Sequence, residues 1–249
     1  MVVAGPPCPI PPIRHTRTMS GIDFDVESLA RYLHIAPSQV TRMAERGKLP
    51  GRKVGGQWRF SRPDIHHWLE DRIGLSDDEE LAAVEAVLDR SDTAVRERII
   101  DLMPLEAIAL PLVAKTRSSV ISSMCQLAAG TGWLWDPQRM AELVKERESL
   151  HPTALETGVA LLHPRRPQPS LLAQAVVALG ITPRGIPFGG PVTTDVFFLI
   201  GSTSDAEHLR ILARLSRILQ HEPLVDSLRT AADAHEARAL IEARESELE

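Results

Sequence analysis

Two histidines in the second half of the chain stand where an imidazole could do chemistry. His163 directly follows the apolar run "TGVALL", and His208 lies in "STSDAEHLRIL". Near neutral pH a histidine keeps an unprotonated ring nitrogen, which is a competent nucleophile toward phosphorus. A histidine at the end of a strand is more often a structural residue, so the case for chemistry depends on its neighbours.

Arginines lie on both sides of His163 in the sequence. Arg147 occurs in "KERESLHPT", shortly before the apolar run, and Arg165 and Arg166 follow His163 after a single proline. A guanidinium group binds phosphate oxygens through a fork of N–H donors. This local composition predicts a cationic pocket that suits a phosphoryl group.

The residues before His208 carry the signature of a helix start. Ser204 is a good N-cap residue, and Glu207 three positions later completes a capping box. His208 is therefore predicted in or just after the first turn of a helix. Backbone N–H groups and the positive end of the helix dipole favour an anion at such a place.

Strands interspersed with helices must position these residues. Between residues 102 and 249, "TGVALL" and "VTTDVFFLIGS" predict buried strands, and "SLLAQAVVALGIT" is a candidate for another. "LEAIALPLVAKTRSSVISSMCQLAAGTG" predicts a strand followed by a helix. "DPQRMAELVKERESL", "SDAEHLRILARLSRILQHEP" and "TAADAHEARALIEARESE" predict further helices. This order predicts an α/β (α+β) domain with helices packed on a mixed sheet.

With these strings in place, the segment 102–249 resembles the IIA domain of the fructose/mannitol type from the bacterial sugar phosphotransferase system, including its nitrogen-regulatory branch. That family carries "RE.l..T.ig.gvAiPHg" and later "p..HL.lLa.la..l". This chain has "RESLHPTALETGVALLHPR" and "DAEHLRILARLSRIL". The step of ten residues from Thr153 to His163, and of sixteen from Arg147 to His163, is that of the family.

The resemblance implies a role for each matched residue. His163 would accept a phosphoryl group from the phosphorylated histidine phosphocarrier protein, and His208 would orient or stabilise the phosphohistidine. Arg147 would help bind the phosphate, and Thr153 and Arg165 are further candidates for phosphate binding. On this interpretation the chain is a phosphotransfer component rather than a metabolic enzyme, and it needs no cofactor and no metal.

Two positions depart from the family pattern. Leu162 replaces the proline before the histidine, and Glu156 stands where the family usually has a small residue. Loss of the proline alters how His163 is presented, and a carboxylate near a phosphate would repel it. Phosphotransfer competence therefore stays open at this point.

The segment 22–73 predicts a small DNA-binding unit. "DVESLARYLHI" and "APSQVTRMAERGKLP" predict two helices, "GRKVGGQWRFS" predicts a hairpin turning at Gly55-Gly56, and "RPDIHHWLEDRI" predicts a third helix. Seven basic residues lie between Gln39 and Arg62 against one acid, Glu45. A helix-turn-helix followed by a two-stranded wing, with clustered positive charge, is typical of operator recognition.

At these residues the chain resembles the excisionase-family, MerR-like winged helix-turn-helix domains, through "PSQVTRMAERGKLP", "VGGQWRF" and "SRPDIHHWL". The resemblance implies two groups of DNA-binding residues. Those facing the major groove are Ser38, Gln39, Thr41 and Arg42. Those meeting phosphates or the minor groove are Arg46, Lys53, Gln57 and Arg59. Trp58 is interpreted as packing the wing onto the body of the unit.

The remaining segments predict linkers rather than sites. Residues 1–21 are rich in proline and predict a disordered tail, with Met19 as an alternative start of translation. Residues 74–101 predict an acidic linker helix, whose narrow apolar stripe suits packing on either domain or on a second copy. The N-terminal string lacks the pattern of a secretion signal.

The composition limits the kinds of partner and the cellular location that the chain suits. The net charge of −5 gives no global drive toward nucleic acid or membrane, so the basic patch is a local feature. Two cysteines, Cys8 and Cys125, are too few for a disulfide framework and fit a reduced, cytoplasmic location. No apolar run reaches the ~18 residues of a membrane span.

These observations predict a bacterial DNA-binding regulator whose IIA-like domain reports the state of the phosphotransferase chain. The predicted partners are DNA and the histidine phosphocarrier protein, and a homodimer is an open alternative. A second interpretation is a phosphocarrier that passes its phosphate to a IIB component. A third is a regulator that binds partner proteins without any phosphate. The charge that a phosphoryl group adds at His163 would provide the coupling, by altering docking on the basic DNA-binding head or on the acidic linker helix.

Overall fold

The computed structural model describes residues 23–33, 35–62, 64–65, 68–69, 98–190 and 192–248, except for the side chain of Glu222. The predicted proline-rich tail lies outside these residues. So does the predicted acidic linker helix, apart from residues 98–101. Within the described part of the chain, no helix is long and apolar enough to cross a membrane.

The N-terminal unit has the predicted order of helix, helix and wing. Helix α1 spans Val26–Leu33 and helix α2 spans Pro37–Glu45, and the strands β1 (Arg52–Val54) and β2 (Gln57–Arg59) pair antiparallel. The glycines at 55 and 56 have φ angles of +59° and +81°, which a two-residue hairpin turn requires. Residues 62, 64, 65, 68 and 69 are helical and close the unit, which we call the head.

The head has its own apolar centre. Leu29, Val40, Phe60 and Ile65 are fully buried, one from each helix and one from the end of the wing. The indole of Trp68 donates a 2.8 Å hydrogen bond to the backbone carbonyl of the residue at position 48. This bond fixes the closing helix against the turn after α2.

The C-terminal domain contains the predicted mixed sheet of four strands. Its order is β3 (Ile108–Ala109), β5 (Val176–Ile186), β6 (Thr194–Gly201) and β4 (Val159–Leu162). The outer strands β3 and β4 run parallel to their neighbours, and the central pair β5 and β6 is antiparallel. Two short 3₁₀ helices precede β3 in the chain.

Helices cover both faces of this sheet. Helices α3 (Arg117–Gly130) and α4 (Pro137–Leu150) pack on one face. Helices α5 (Asp205–Leu219), α6 (Glu222–Thr230) and α7 (Ala234–Glu247) pack on the other. The result is a three-layer domain whose two apolar layers are separated by the sheet.

The alternation of β4 decides which face His163 serves. Val159 and Leu161 belong to the apolar layer of α5, α6 and α7, whereas Ala160 and Leu162 belong to the layer of α3 and α4. Side chains alternate between the faces of a strand with a period of two. His163, the next residue on, therefore falls on the side of α5.

Candidate functional site

Sheet topology brings two distant chain segments to one edge. Strands β4 and β6 are parallel neighbours, so their carboxyl ends lie at the same edge of the sheet. His163 directly follows the last residue of β4, and Ser202 directly follows the last residue of β6. Helix α5 begins three residues after Ser202. Ligand sites of α/β sheets commonly form at such an edge.

The structure brings His163 and His208 into contact. Their ring centroids lie 5.1 Å apart, and the ring planes are tilted by 56°. Both side chains are buried, with 3% and 1% of their surface exposed. Two imidazoles from a strand end and a helix start therefore form one pair.

A backbone hydrogen bond sets the protonation of the His163 ring. Its Nδ1 lies 2.8 Å from the carbonyl oxygen of Leu161. A carbonyl oxygen can only accept a hydrogen bond, so Nδ1 carries the proton and donates. In the neutral ring the lone pair then lies on Nε2, which is the nucleophilic nitrogen.

Ser202 is a site residue that sequence reasoning missed. Its hydroxyl lies 3.1 Å from Nδ1 of His208, and its side chain is fully buried. The signal was present in the alternation of β6, because Val196, Phe198 and Ile200 already point toward the α5 layer. A hydroxyl can donate or accept, so Ser202 can orient the His208 ring in either tautomer.

Ser204 is confirmed as the N-cap of α5, but the first turn of this helix is more acidic than a simple anion site would be. The Ser204 hydroxyl accepts a hydrogen bond from the Glu207 backbone N–H, so Ser204 is the N-cap as predicted, but the reciprocal bond of the predicted capping box is not formed. The Glu207 carboxylate bonds the backbone N–H and the hydroxyl of Thr203. With Asp205 beside it, the first turn carries two carboxylates. These acids offset the positive end of the helix dipole, so the turn is a weaker anion site than the sequence predicted.

Arg147 lies at the end of α4 and is almost fully buried. Its Nη1 donates a 2.8 Å hydrogen bond to the carbonyl oxygen of His151. The guanidinium therefore braces the backbone of the loop that leads into β4. Its predicted contact with phosphate remains a prediction.

Thr153 is held by Glu148, a buried carboxylate that sequence reasoning did not single out. The backbone N–H of Thr153 donates to Glu148 Oε1 at 3.1 Å, and the Thr153 hydroxyl donates to the same oxygen. The other oxygen, Oε2, accepts a 2.7 Å hydrogen bond from Arg117 on α3. The hydroxyl proton of Thr153 is thus committed to Glu148, and Thr153 aligns the loop beside Leu161.

Leu162 and Glu156, the two departures from the family pattern, both have side chains that lie away from His163. Leu162 is fully buried in the layer of α3 and α4, on the face opposite His163. Glu156 is exposed in the turn before β4, whereas His163 follows the other end of that strand. Four strand residues span about 13 Å, so the carboxylate lies well away from the imidazole. Arg165 is exposed in the loop after His163.

Helix α2 presents the predicted recognition residues outward. Ser38, Gln39, Arg42 and Arg46 are exposed, while the opposite face of the helix is buried in the head. Thr41 is half-buried, and its hydroxyl donates a 3.1 Å hydrogen bond to the carbonyl oxygen four residues earlier. The structure therefore places four of these side chains on one solvent-facing surface, with Thr41 at its margin.

The wing combines exposed polar groups with an aromatic support. Gln57 is exposed, and the ammonium of the exposed Lys53 lies 5.2 Å from the centre of the Trp58 ring. Trp58 stacks on Phe60, with centroids 6.1 Å apart, so it packs the wing onto the head as interpreted from the sequence. The Arg59 guanidinium lies 3.8 Å from Asp25, which partly offsets its charge.

Comparison with known families matches both parts of the chain. The family described as "Phosphoenolpyruvate-dependent sugar phosphotransferase system, EIIA 2" matches residues 101–244. A family described as "Helix-turn-helix domain" matches residues 24–73.

Individual relatives match the C-terminal domain. A nitrogen regulatory protein of Bradyrhizobium diazoefficiens is 30% identical over 141 residues, which cover 55% of this chain and 89% of that protein. A fructose-specific EIIA component of Haloferax volcanii is 27% identical over 134 residues, covering 52% of this chain and 85% of the relative. The crystal structure of the nitrogen regulatory protein IIA-Ntr from Neisseria meningitidis superposes with a TM-score of 0.53 at 24% identity, covering 57% of this chain and 98% of that one. That superposition shows a shared fold.

Proposed function

Because this chain belongs to the EIIA 2 family of the phosphoenolpyruvate-dependent sugar phosphotransferase system, we propose that it accepts a phosphoryl group on His163. The helix-turn-helix match leads us to propose further that the protein is a DNA-binding regulator that reports the state of this phosphotransfer chain. Both DNA and the phosphocarrier are cytoplasmic in bacteria, so the proposal places the protein there.

The observation that carries the phosphotransfer proposal is the tautomer of His163. With Nδ1–H bonded to the Leu161 carbonyl, the Nε2 lone pair attacks the phosphorus of the donor's phosphohistidine. A P–N bond forms to Nε2, the donor's P–N bond breaks, and that electron pair returns to the donor's ring nitrogen. The His163 ring then carries positive charge, which the carbonyl oxygen stabilises through the Nδ1–H bond.

Other residues of the site support this step in the proposal. His208 is close enough to the His163 ring to donate a hydrogen bond to a phosphoryl oxygen, and Ser202 orients its imidazole. Arg147, whose guanidinium lies beside the loop at His151, supplies positive charge. Preorganised donors of this kind stabilise the charge that develops on a transferred group.

The DNA-binding part of the proposal is supported by the surface of α2 and the wing. Arg42 of α2, Arg46 and Lys48 in the turn after it, and Lys53 of the wing are all exposed. In this proposal helix α2 is the recognition helix, which enters the major groove while the wing meets the backbone. Clustered cations in an otherwise acidic chain suit phosphate contacts.

Labelling tests the proposal directly. The full chain is incubated with labelled phosphoenolpyruvate, enzyme I and the histidine phosphocarrier protein, and acid-labile label is measured. We expect label in the wild type and in His235→Ala, whose exposed histidine serves as the control, and none in His163→Ala. Absence of label from the wild type would favour a regulator that works without phosphate. Onward transfer to a IIB protein would favour a phosphocarrier.

A further inference from the structure

The head contacts the helix that carries His208. The Arg62 guanidinium lies 4.0 Å from the Asp205 carboxylate, and both side chains are partly exposed. Asp205 is the first residue of α5, and His208 follows three residues later. With a rise of about 1.5 Å per residue, that separation is about 4.5 Å along the helix axis. The head therefore sits within one helical turn of the histidine pair.

Apolar contacts extend this junction beyond one ion pair. A single continuous cluster of buried apolar side chains includes Phe24 and Phe60 of the head together with Leu161 and Leu209 of the C-terminal domain. Arg62 also stacks on Phe24, with its guanidinium 4.4 Å from the ring centre. An exposed ion pair contributes little by itself, so the apolar contacts supply most of the stabilisation.

Tyr32 on α1 also lies near Asp205, close enough for the carboxylate to act on its phenol. Burial raises the pKa of the Tyr32 phenol, the negative charge of Asp205 raises it further, and Arg62 lowers it. The Asp205 carboxylate, in the first turn of α5, therefore acts electrostatically on Tyr32 of the head. Three head residues, Tyr32, Phe24 and Arg62, are therefore assembled around one point at the start of α5.

This junction conflicts with the approach of a protein donor. A donor must bring its own phosphohistidine to Nε2 of His163. Only 3% of the surface of His163 is exposed. A standard protein interface covers about 800 Å² on each partner, which corresponds to a patch of about 16 Å radius. A patch of that size centred on the histidine pair includes Asp205, where the head already lies. The transferred group also adds three oxygens and about −1.5 to −2 charge to a buried place.

Building on the proposed phosphoryl acceptor, we infer that the DNA-binding head is docked over the rim of the histidine pair and that docking and phosphorylation at His163 exclude each other. The donor reaches Nε2 only after the head has left the start of α5. In the phosphorylated chain the head stays undocked from the start of α5. By thermodynamic linkage, any ligand that prefers the released head favours phosphorylation to the same degree.

A charge reversal in the full chain tests this inference. Asp205→Arg places two cations together at the junction, and the swapped pair Arg62→Asp with Asp205→Arg restores the attraction. We expect the single variant to take up label on His163 about two- to fivefold faster than the wild type, and the swapped pair to return toward the wild-type rate. Asp226→Arg is the control, since it makes the same charge change on α6, where Asp226 pairs with Arg229.

A second readout does not need phosphotransfer. Carbethoxylation of His163 and His208 by diethyl pyrocarbonate, followed by mass spectrometry, measures access to the imidazoles. We expect faster modification in Asp205→Arg than in the wild type, the swapped pair or the control. Equal modification and equal labelling rates in all four proteins would overturn the docked head and leave the acceptor role of His163 intact. Faster modification with no label in any protein would support the docked head and overturn the proposed acceptor.

Discussion

The Nδ1 atom of His163 and the carbonyl oxygen of Leu161 lie 2.8 Å apart, within the same strand end. The strand thereby orients the ring with its own backbone, and the His208 ring lies 5.1 Å away, centre to centre. The chemistry proposed for this site depends on that local bond more than on any other contact.

Removing the second imidazole should slow phosphoryl transfer without abolishing the acceptor. We expect His208→Ala to lower the rate of label uptake about 10²-fold, because a positioned donor to the developing charge is lost. Rapid-quench labelling measures the rate. Ser202→Ala should cost less, about three- to tenfold, because it loosens the ring without removing it. A larger loss in Ser202→Ala than in His208→Ala would contradict these roles.

Glu148 should stabilise the domain through its buried bonds. Glu148→Ala removes the partner of Arg117 and of Thr153 at a fully buried position, and we expect the free energy of unfolding to fall by about 3 kcal/mol. Urea titration measures this change. Glu146→Ala, at an exposed position on the same helix, is the control and should change stability by less than about 0.5 kcal/mol. Similar losses in the two variants would refute the contribution of the buried bonds.

DNA-binding variants should separate base reading from backbone contact. We expect Arg42→Ala to relax base preference and Lys53→Ala to weaken all sequences alike, with a salt slope smaller by about one. Fluorescence anisotropy over a series of salt concentrations measures both effects. Arg139→Ala, at an exposed position on α4, should leave binding unchanged. Unchanged binding in both head variants at fixed salt would show that α2 is not the recognition helix.

The buried thiol of Cys125 should make stability depend on pH in alkaline solution. Burial raises its pKa from 9.0 to about 12. The folded thiol therefore stays protonated between pH 9 and 12 while the unfolded thiol releases its proton, so stability falls as pH rises through this window. Between pH 8 and 10 we expect the wild type to lose about 1.4 kcal/mol more than Cys125→Ala. Parallel pH profiles of the two proteins would contradict the buried, protonated thiol.

Local signals in the sequence predicted the parts of this fold that depend on local chemistry. Ser204 was identified as the N-cap of α5 because side-chain capping is a short-range interaction. The predicted helix after it runs only to Leu219, and a separate helix begins at Glu222, with Pro223 in its first turn. Proline is well suited to a first turn and cannot continue a helix, so this break was readable.

Long-range pairings were not readable in the same way. The strand predicted in "LEAIALPL" is reduced to Ile108–Ala109, because a 3₁₀ helix takes the residues before it. Glu148 stands beside Arg147 in the sequence, yet its partner Arg117 comes from another helix. The contact between Arg62 and Asp205 joins two parts of the chain that carry no mutual signal. Such contacts depend on how elements pack, which a single sequence does not encode in any local pattern.

The chemical identity of the phosphorylated atom tests the proposed phosphoryl acceptor most directly. The full chain, enriched in ¹⁵N histidine, is phosphorylated by the phosphocarrier system, and ³¹P and ¹⁵N NMR spectra identify the bonded nitrogen. We expect one phosphohistidine, at His163, with phosphorus bonded to Nε2 and a proton retained on Nδ1. Phosphorus on Nδ1, or on any other histidine, would contradict this proposal.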